Sequence, residues 1–170
     1  MKDSRKEIID ILLKSYQAYY DITDYETSRE PLRALCEYYE HAEKYMVSKK
    51  VSLWAADSEE FIYLFDVSHL TLEVFEQCRK EAFEDGMSRL NIGPGHMYSY
   101  ITPIIVCDIC DEEAAKALKK CHIYKSFHFS LHGWMDFHMA AVIRDTDRII
   151  SNRAGRTTAK ILKKVLYTKK

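Results

Sequence analysis

Ile8, Ile9, Leu12, Leu13, Tyr16 and Tyr20 recur at the spacing of one helical face, and Ser4 with Glu7 three residues on forms a capping box, so the pattern predicts a helix over about 4–20. After the polar stretch "DITDYETSRE", Pro31 stands where a first helical turn accepts proline, and Leu32, Leu35, Cys36, Tyr39, Ala42 and Met46 form a second stripe. Two amphipathic N-terminal helices therefore precede any strand. From Val47 the period shortens: Val51, Leu53 and Ala55 alternate with Ser52 and Trp54, and "FIYLFDV" follows the turn-like "ADSEE", which predicts a β-hairpin. A helix starting at Ser68 or Thr71 turns Leu72, Phe75, Cys78, Ala82 and Phe83 inward and stops at Gly86. The irregular "GMSRLNIGPGH" leads into the strand "MYSYITPIIVC", where Pro103 argues for an edge or a bend. Asp111 then caps "DEEAAKALKKC", with acids in its first turn and lysines in its last.

The stretch "FHFSLHGWMDFHMAAVI", Phe127 to Ile143, is apolar at odd positions and begins polar at even ones. As one straight strand it would be about 56 Å long, more than the roughly 40 Å diameter of a compact domain of this size. Gly133 is the place for a turn or bend, and an odd loop Gly133–Met135 would set His132 opposite Asp136 and Ser130 opposite His138. "RIISN" reads as a short strand. "NRAGRTTAKILKKVLY" reads as a terminal helix docked by Ile161, Leu162, Val165 and Leu166, with Arg156, Lys160, Lys163 and Lys164 outward. The fold class expected is α+β: two N-terminal amphipathic helices, a mainly antiparallel sheet of about five strands with helices packed on one face, and a basic C-terminal helix.

Composition narrows the class. The 170 residues suit a single domain, divided into a helical segment 1–46, a sheet-containing body 47–150 and the basic helix 151–170. An apolar fraction of 47% and a charged fraction of 30% are those of a globular chain rather than a disordered one. The charged start "MKDSRKEIID", the absence of any apolar run near the about 20 residues a bilayer needs, and five irregularly spaced cysteines set the expectation of a soluble cytoplasmic protein without a membrane partner. Charge is uneven: from Arg144 to the end stand four Arg and five Lys against Asp145 and Asp147, in a chain whose net charge is −1. A basic tail on an acidic body points to a small anionic ligand or an acidic protein partner.

Three constellations could carry chemistry. His132, Asp136 and His138 in the odd-loop hairpin would form a metal or acid–base cluster of a hydrolase-type enzyme, with or without a metal, and the competing reading is the wet side of a half-buried sheet. Trp134 and His128 in the same row are candidate ligand contacts. Cys107, Cys110, Cys121 and His122 are zinc-ligand types, but no glycine-bearing knuckle accompanies them, so they read as buried thiols and no metal is assigned. "SNRAGRTTAK" opens a helix with Arg153, Arg156 and Lys160 around its glycine, the physics of an anion site. No phosphate loop, dinucleotide fingerprint, nucleophile elbow or nucleic-acid motif is present, and the motifs name no particular cofactor. The functional expectation is a binding or regulatory module, with a hydrolase-type enzyme as the alternative. The tyrosines of the first two segments suggest a homodimer through the N-terminal helices.

Overall fold

The structure, a computed structural model, describes residues 3–46 and 49–167, and at 42–46 and 49–56 the backbone alone. In chain order the elements are α1 (Arg5–Tyr16), β1 (Asp21–Asp24), β2 (Leu32–Met46), β3 (Lys49–Leu70), α2 (Leu72–Arg89), β4 (His96–Cys110), α3 (Glu112–Lys120), β5 (Tyr124–Ser126), β6 (Trp134–Phe137), β7 (Ala140–Ile143), β8 (Arg148–Ser151) and α4 (Arg156–Tyr167). The eight strands form one mixed sheet in the order β1-β2-β3-β4-β6-β5, with β7 pairing β4 beyond β6 and β8 outside β7. β1, β2 and β3 are an antiparallel meander, β3, β4 and the β6/β7 line run parallel, and β5 and β8 return antiparallel at the edge.

Parallel neighbours need crossovers, and two helices supply them: α2 between β3 and β4, and α3 between β4 and β6. Phe61, Tyr63 and Phe65 of β3 and Ile101, Ile105 and Cys107 of β4 pack with Phe75, Cys78 and Ala82 of α2 and Ala114 and Leu118 of α3. The residues between them, Ile62, Leu64, Ile104 and Val106, face the other way and pack with Ile8, Ile9 and Leu12 of α1 and Leu162 of α4. Helices therefore cover both faces, which corrects the expectation of cover on one.

Other corrections follow from the same burial. The first expected helix is present, ending at Tyr16, but residues 32–46 are strand β2 rather than a second helix. Leu32, Ala34, Leu35 and Cys36 are all buried because β2 lies between β1 and β3 under helices, and a strand buried on both faces loses the alternation that would mark it. "ADSEE" is part of the single strand β3, paired with β2. The expected strand start at Val47 and Ser48 lies outside the described residues. Gly86 does not stop α2, which continues to Arg89; a Cβ there would stand 2.7 Å from Ile101 Cδ1, so glycine lets the helix approach β4.

Pro103 is neither at an edge nor at a bend. It lies buried in β4, paired with Tyr63 on one side. On the other side β6 ends at Phe137 opposite Ile101, and β7 begins at Ala140 opposite Ile104, so the neighbouring strand is interrupted across from Pro103. Ile101 accepts a hydrogen bond from the His138 N–H. Two residues on, Pro103 would direct an N–H to the same side and has none, which accounts for the break. Asn152 closes it. Its Oδ1 accepts from the N–H of Met139 (3.0 Å) and Gly155 (2.7 Å), and its Nδ2 donates to the carbonyls of Phe137 (2.8 Å) and Cys121 (3.1 Å). Every donor and acceptor of the amide is used, at 2% exposure.

Asn152→Ala should therefore lower stability by about 3 kcal/mol, since it leaves buried backbone groups without partners, with a fall in Tm on the order of 10 °C. Asn152→Asp should do no better, because a carboxylate cannot donate to the two carbonyls. Thermal unfolding followed by circular dichroism checks both, and a loss within 0.5 kcal/mol for the alanine variant would contradict the clamp.

Candidate ligand-binding face

The α1/α4 side of the sheet is covered only in part. Where β4 carries Ile104 and Val106, the helices pack on it; toward its start the same face presents Thr102, Tyr100 and Tyr98. Strand register extends this into two rows across the sheet. The first runs Tyr38 (β2), Glu60 (β3), Tyr100 (β4), Asp136 (β6), Tyr124 (β5), alternating phenol and carboxylate. The second runs Glu40, Ser58, Tyr98, Trp134, Ser126. Neither row contains a lysine or arginine.

The rings of the face are packed on one another. Tyr98 stacks on Trp134 at 5.9 Å between centroids and lies 4.9 Å from Tyr100, while Tyr100 stacks on His138 at 4.3 Å. All four are half-buried. Tyr20, just beyond α1, closes the border by contacting Tyr38 (5.5 Å) and donating its hydroxyl to Glu60 (2.7 Å), and Thr102 donates to the other Glu60 oxygen (3.1 Å). Asp136 accepts from the Phe137 N–H and lies 3.7 Å from His138 Nε2. Burial holds the His138 pKa below the ordinary histidine value, against the opposing pull of Asp136 and Glu60. Burial also raises the Tyr100 phenol, helped by Tyr98, Asp136 and Glu60.

The expected site residues are divided between places. Trp134, Asp136 and His138 share the face. His132 does not join them: the reversal precedes Gly133, Ser126 pairs with Trp134, and residues 127–133 form the loop. His132 stacks on His128 there, at 4.9 Å, and its carbonyl meets His96 Nδ1 at 2.7 Å. The loop takes a left-handed course through His128, Phe129 and Ser130 (φ 47°, 54° and 67°), and it carries Phe129 and Leu131 outward at 96% and 70% exposure, although alternation assigned both to the core. Gly133 (φ 71°) closes it, with no room for a Cβ beside the Met97 carbonyl. Arg153, Arg156 and Lys160 are exposed around the start of α4, where the Gly155 N–H is already taken by Asn152. Cys107 is buried, which pushes its thiol up to about 12, and Cys110 and Cys121 are half-buried. Among the described residues no three His, Cys, Asp or Glu side chains converge as metal ligands.

The chain belongs to the DUF8052 family, described as a domain of unknown function, whose model matches residues 4–164. No curated protein and no solved structure matches it. The matched span of DUF8052 contains both rows of the face, so the geometry must carry any functional argument.

Two other features of the DUF8052 chain were not legible in the sequence. Behind β4, Ser99 donates to Glu59 (3.0 Å) and stands 2.6 Å from His96 Nε2, while Asn91 donates to Glu59 (2.6 Å). His96, Ser99 and Glu59 are all buried, and the chain of bonds fastens the α2–β4 loop and the 127–133 loop to β3 and β4. At the carboxyl ends of β4 and β7 an open cleft of about 540 Å³ is lined by Asp108, Lys116, Arg148 and Ile150 among others. It lies where open α/β sheets bind ligands. Some of its charges are already paired, Asp108 with Arg5 and Arg144 and Lys116 with Glu112.

His138 should titrate below the usual histidine value of about 6.5, and Asp136→Asn should lower it further by removing the carboxylate that opposes burial. Because the folded pKa is depressed, the unfolded chain takes up the proton first, so stability is lost as pH falls below about 6.5 and is unaffected above it. NMR titration and melting curves of wild type against His138→Asn check this. A His138 titrating at or above the ordinary value would contradict it.

Proposed function

We propose that this chain is a binding module whose ligand lies on the open part of the sheet, over Tyr98, Tyr100 and Trp134. The observation that carries the reading is the two-row register: aromatic rings stacked side by side on neighbouring strands and left half-exposed, at a place where the helical layer ends. Stacked phenol and indole rings provide a rigid, flat, amphipathic surface at little entropic cost, which is what a binding surface needs and a core does not. The expected anion site at Arg153, Arg156 and Lys160 has exposed cations but no comparable enclosure. Asp136 with His138 could move a proton, yet His132 stands apart from them in the loop, so binding rather than hydrolysis is the reading the arrangement favours.

Trp134 reports directly on the face. The chain has two tryptophans, so Trp54→Phe isolates its emission. Titration with indole, hexylamine and hexanedioate, a neutral, a cationic and an anionic probe, should shift or quench that emission saturably for at least one of them. Tyr98→Ala should weaken the response about tenfold while leaving the far-ultraviolet dichroism unchanged. No response to any probe, or an undiminished response in Tyr98→Ala, would overturn the reading.

A further inference from the structure

We infer that the occupant of this face is a linear aliphatic diammonium ion, with one ammonium at Glu60, the other at Asp136, and its methylene chain laid across the ring of Tyr100. The inference rests on the reading of the face as a binding site and assigns the chemistry of its ligand.

Register supplies the spacing. Glu60 and Asp136 are the partners of Tyr100 on its two sides, in β3 and β6, so their backbones stand two strand spacings apart, about 10 Å. Four to six methylenes between two nitrogens span about 6 to 9 Å, which with a hydrogen-bond length at the ends bridges that gap. Both carboxylates lie near enough to the Tyr100 phenol to add to the rise in its pKa that burial and Tyr98 begin.

Charge supplies the sign. Several other carboxylates of this molecule are matched by a cation: Asp66 and Asp108 by Arg5, Asp85 by Arg89, Glu81 by Arg29, Asp24 by Arg33, Glu112 by Lys116. Among the described residues Glu60 and Asp136 have no lysine or arginine partner. Glu60 holds two hydroxyl donors, which stabilise its charge without neutralising it, and the base nearest Asp136 is His138, kept toward its neutral form by burial. Two carboxylates flanking an aromatic floor complement two cations separated by an apolar spacer. Each cation gains a carboxylate and the negative face of a neighbouring ring, while the methylenes cover Tyr100. The row runs across five strands on an open surface rather than along a sheet edge, so the fit is to a small linear ion and not to an added peptide strand.

Isothermal titration of the full chain with 1,4-diaminobutane and 1,6-diaminohexane, against hexylamine, 1,6-hexanediol and hexanedioate, tests this. A diamine should bind at least about tenfold more tightly than hexylamine, and raising the salt should weaken it. Asp136→Asn and Glu60→Gln should each remove the advantage of the second ammonium; Gln keeps one of the two acceptor oxygens that the Tyr20 and Thr102 hydroxyls use, and the half-exposed Asp136 serves should Glu60→Gln melt early. Diamines binding no better than hexylamine would overturn the assignment. Saturable binding of hexanedioate or hexanediol with Trp134 responding would also overturn it while leaving the face a binding site. Silence of Trp134 toward every probe would remove both.

Discussion

A strand residue advances about 3.3 Å and a helix residue about 1.5 Å, and the architecture follows from that difference. The fifteen-residue β4 is about 50 Å long, whereas the twelve-residue α1 and α4 are each about 18 Å. Two short helices side by side cannot cover a sheet whose central strand is more than twice their length. The covered part is therefore apolar, with Ile62, Leu64, Ile104 and Val106, and the remainder is built from groups that tolerate water on one side and packing on the other: Tyr38, Tyr98, Tyr100, Trp134, Glu60 and Asp136. The candidate site is the uncovered part of β4 and its neighbours.

The parallel strands must also be held in register past an interruption. Pro103 removes a ladder donor in mid-sheet, β6 and β7 part opposite it, and the Asn152 amide ties the ends together through four hydrogen bonds. Because the pairing offset is the same on both sides of the break, Ile101 to Phe137 and Ile104 to Ala140, the alternation of faces survives it. Asp136 and His138 consequently stay on the open face while Met135, Phe137 and Met139 enter the opposite core.

The amino-acid order revealed elements better than their neighbours. The capping box at Ser4, the N-cap position at Thr71 and the charge gradient of α3 each mark a helix that forms. β2 was hidden because Leu32, Leu35 and Cys36 suit a helical stripe as well as a doubly buried strand. The apolar runs "FIYLF" and "TPIIVC", separated by a helix, carried the sign of a parallel crossover, and reading them as antiparallel missed it. Half of the candidate face was visible in Trp134, Asp136 and His138. The other half was not, because Glu60 and Tyr100 become neighbours of Asp136 only through register, and register depends on long-range pairing. The basic C-terminal segment drew attention by its charge and by the glycine that opens α4, whereas the role of the Asn152 before it, a clamp on the β6/β7 break, has no signal in the local sequence.

The open half of the sheet is the surface proposed to receive the ligand. Amide chemical-shift mapping of the isotope-labelled chain with 1,6-diaminohexane tests this most directly, since it reports every surface at once. The largest shifts are expected on neighbouring strands at Glu60, Tyr100 and Asp136, fading toward the helix-covered Ile104 and Val106. Shifts centred on Arg153 to Lys160, or on the cleft between Lys116 and Arg148, would contradict it.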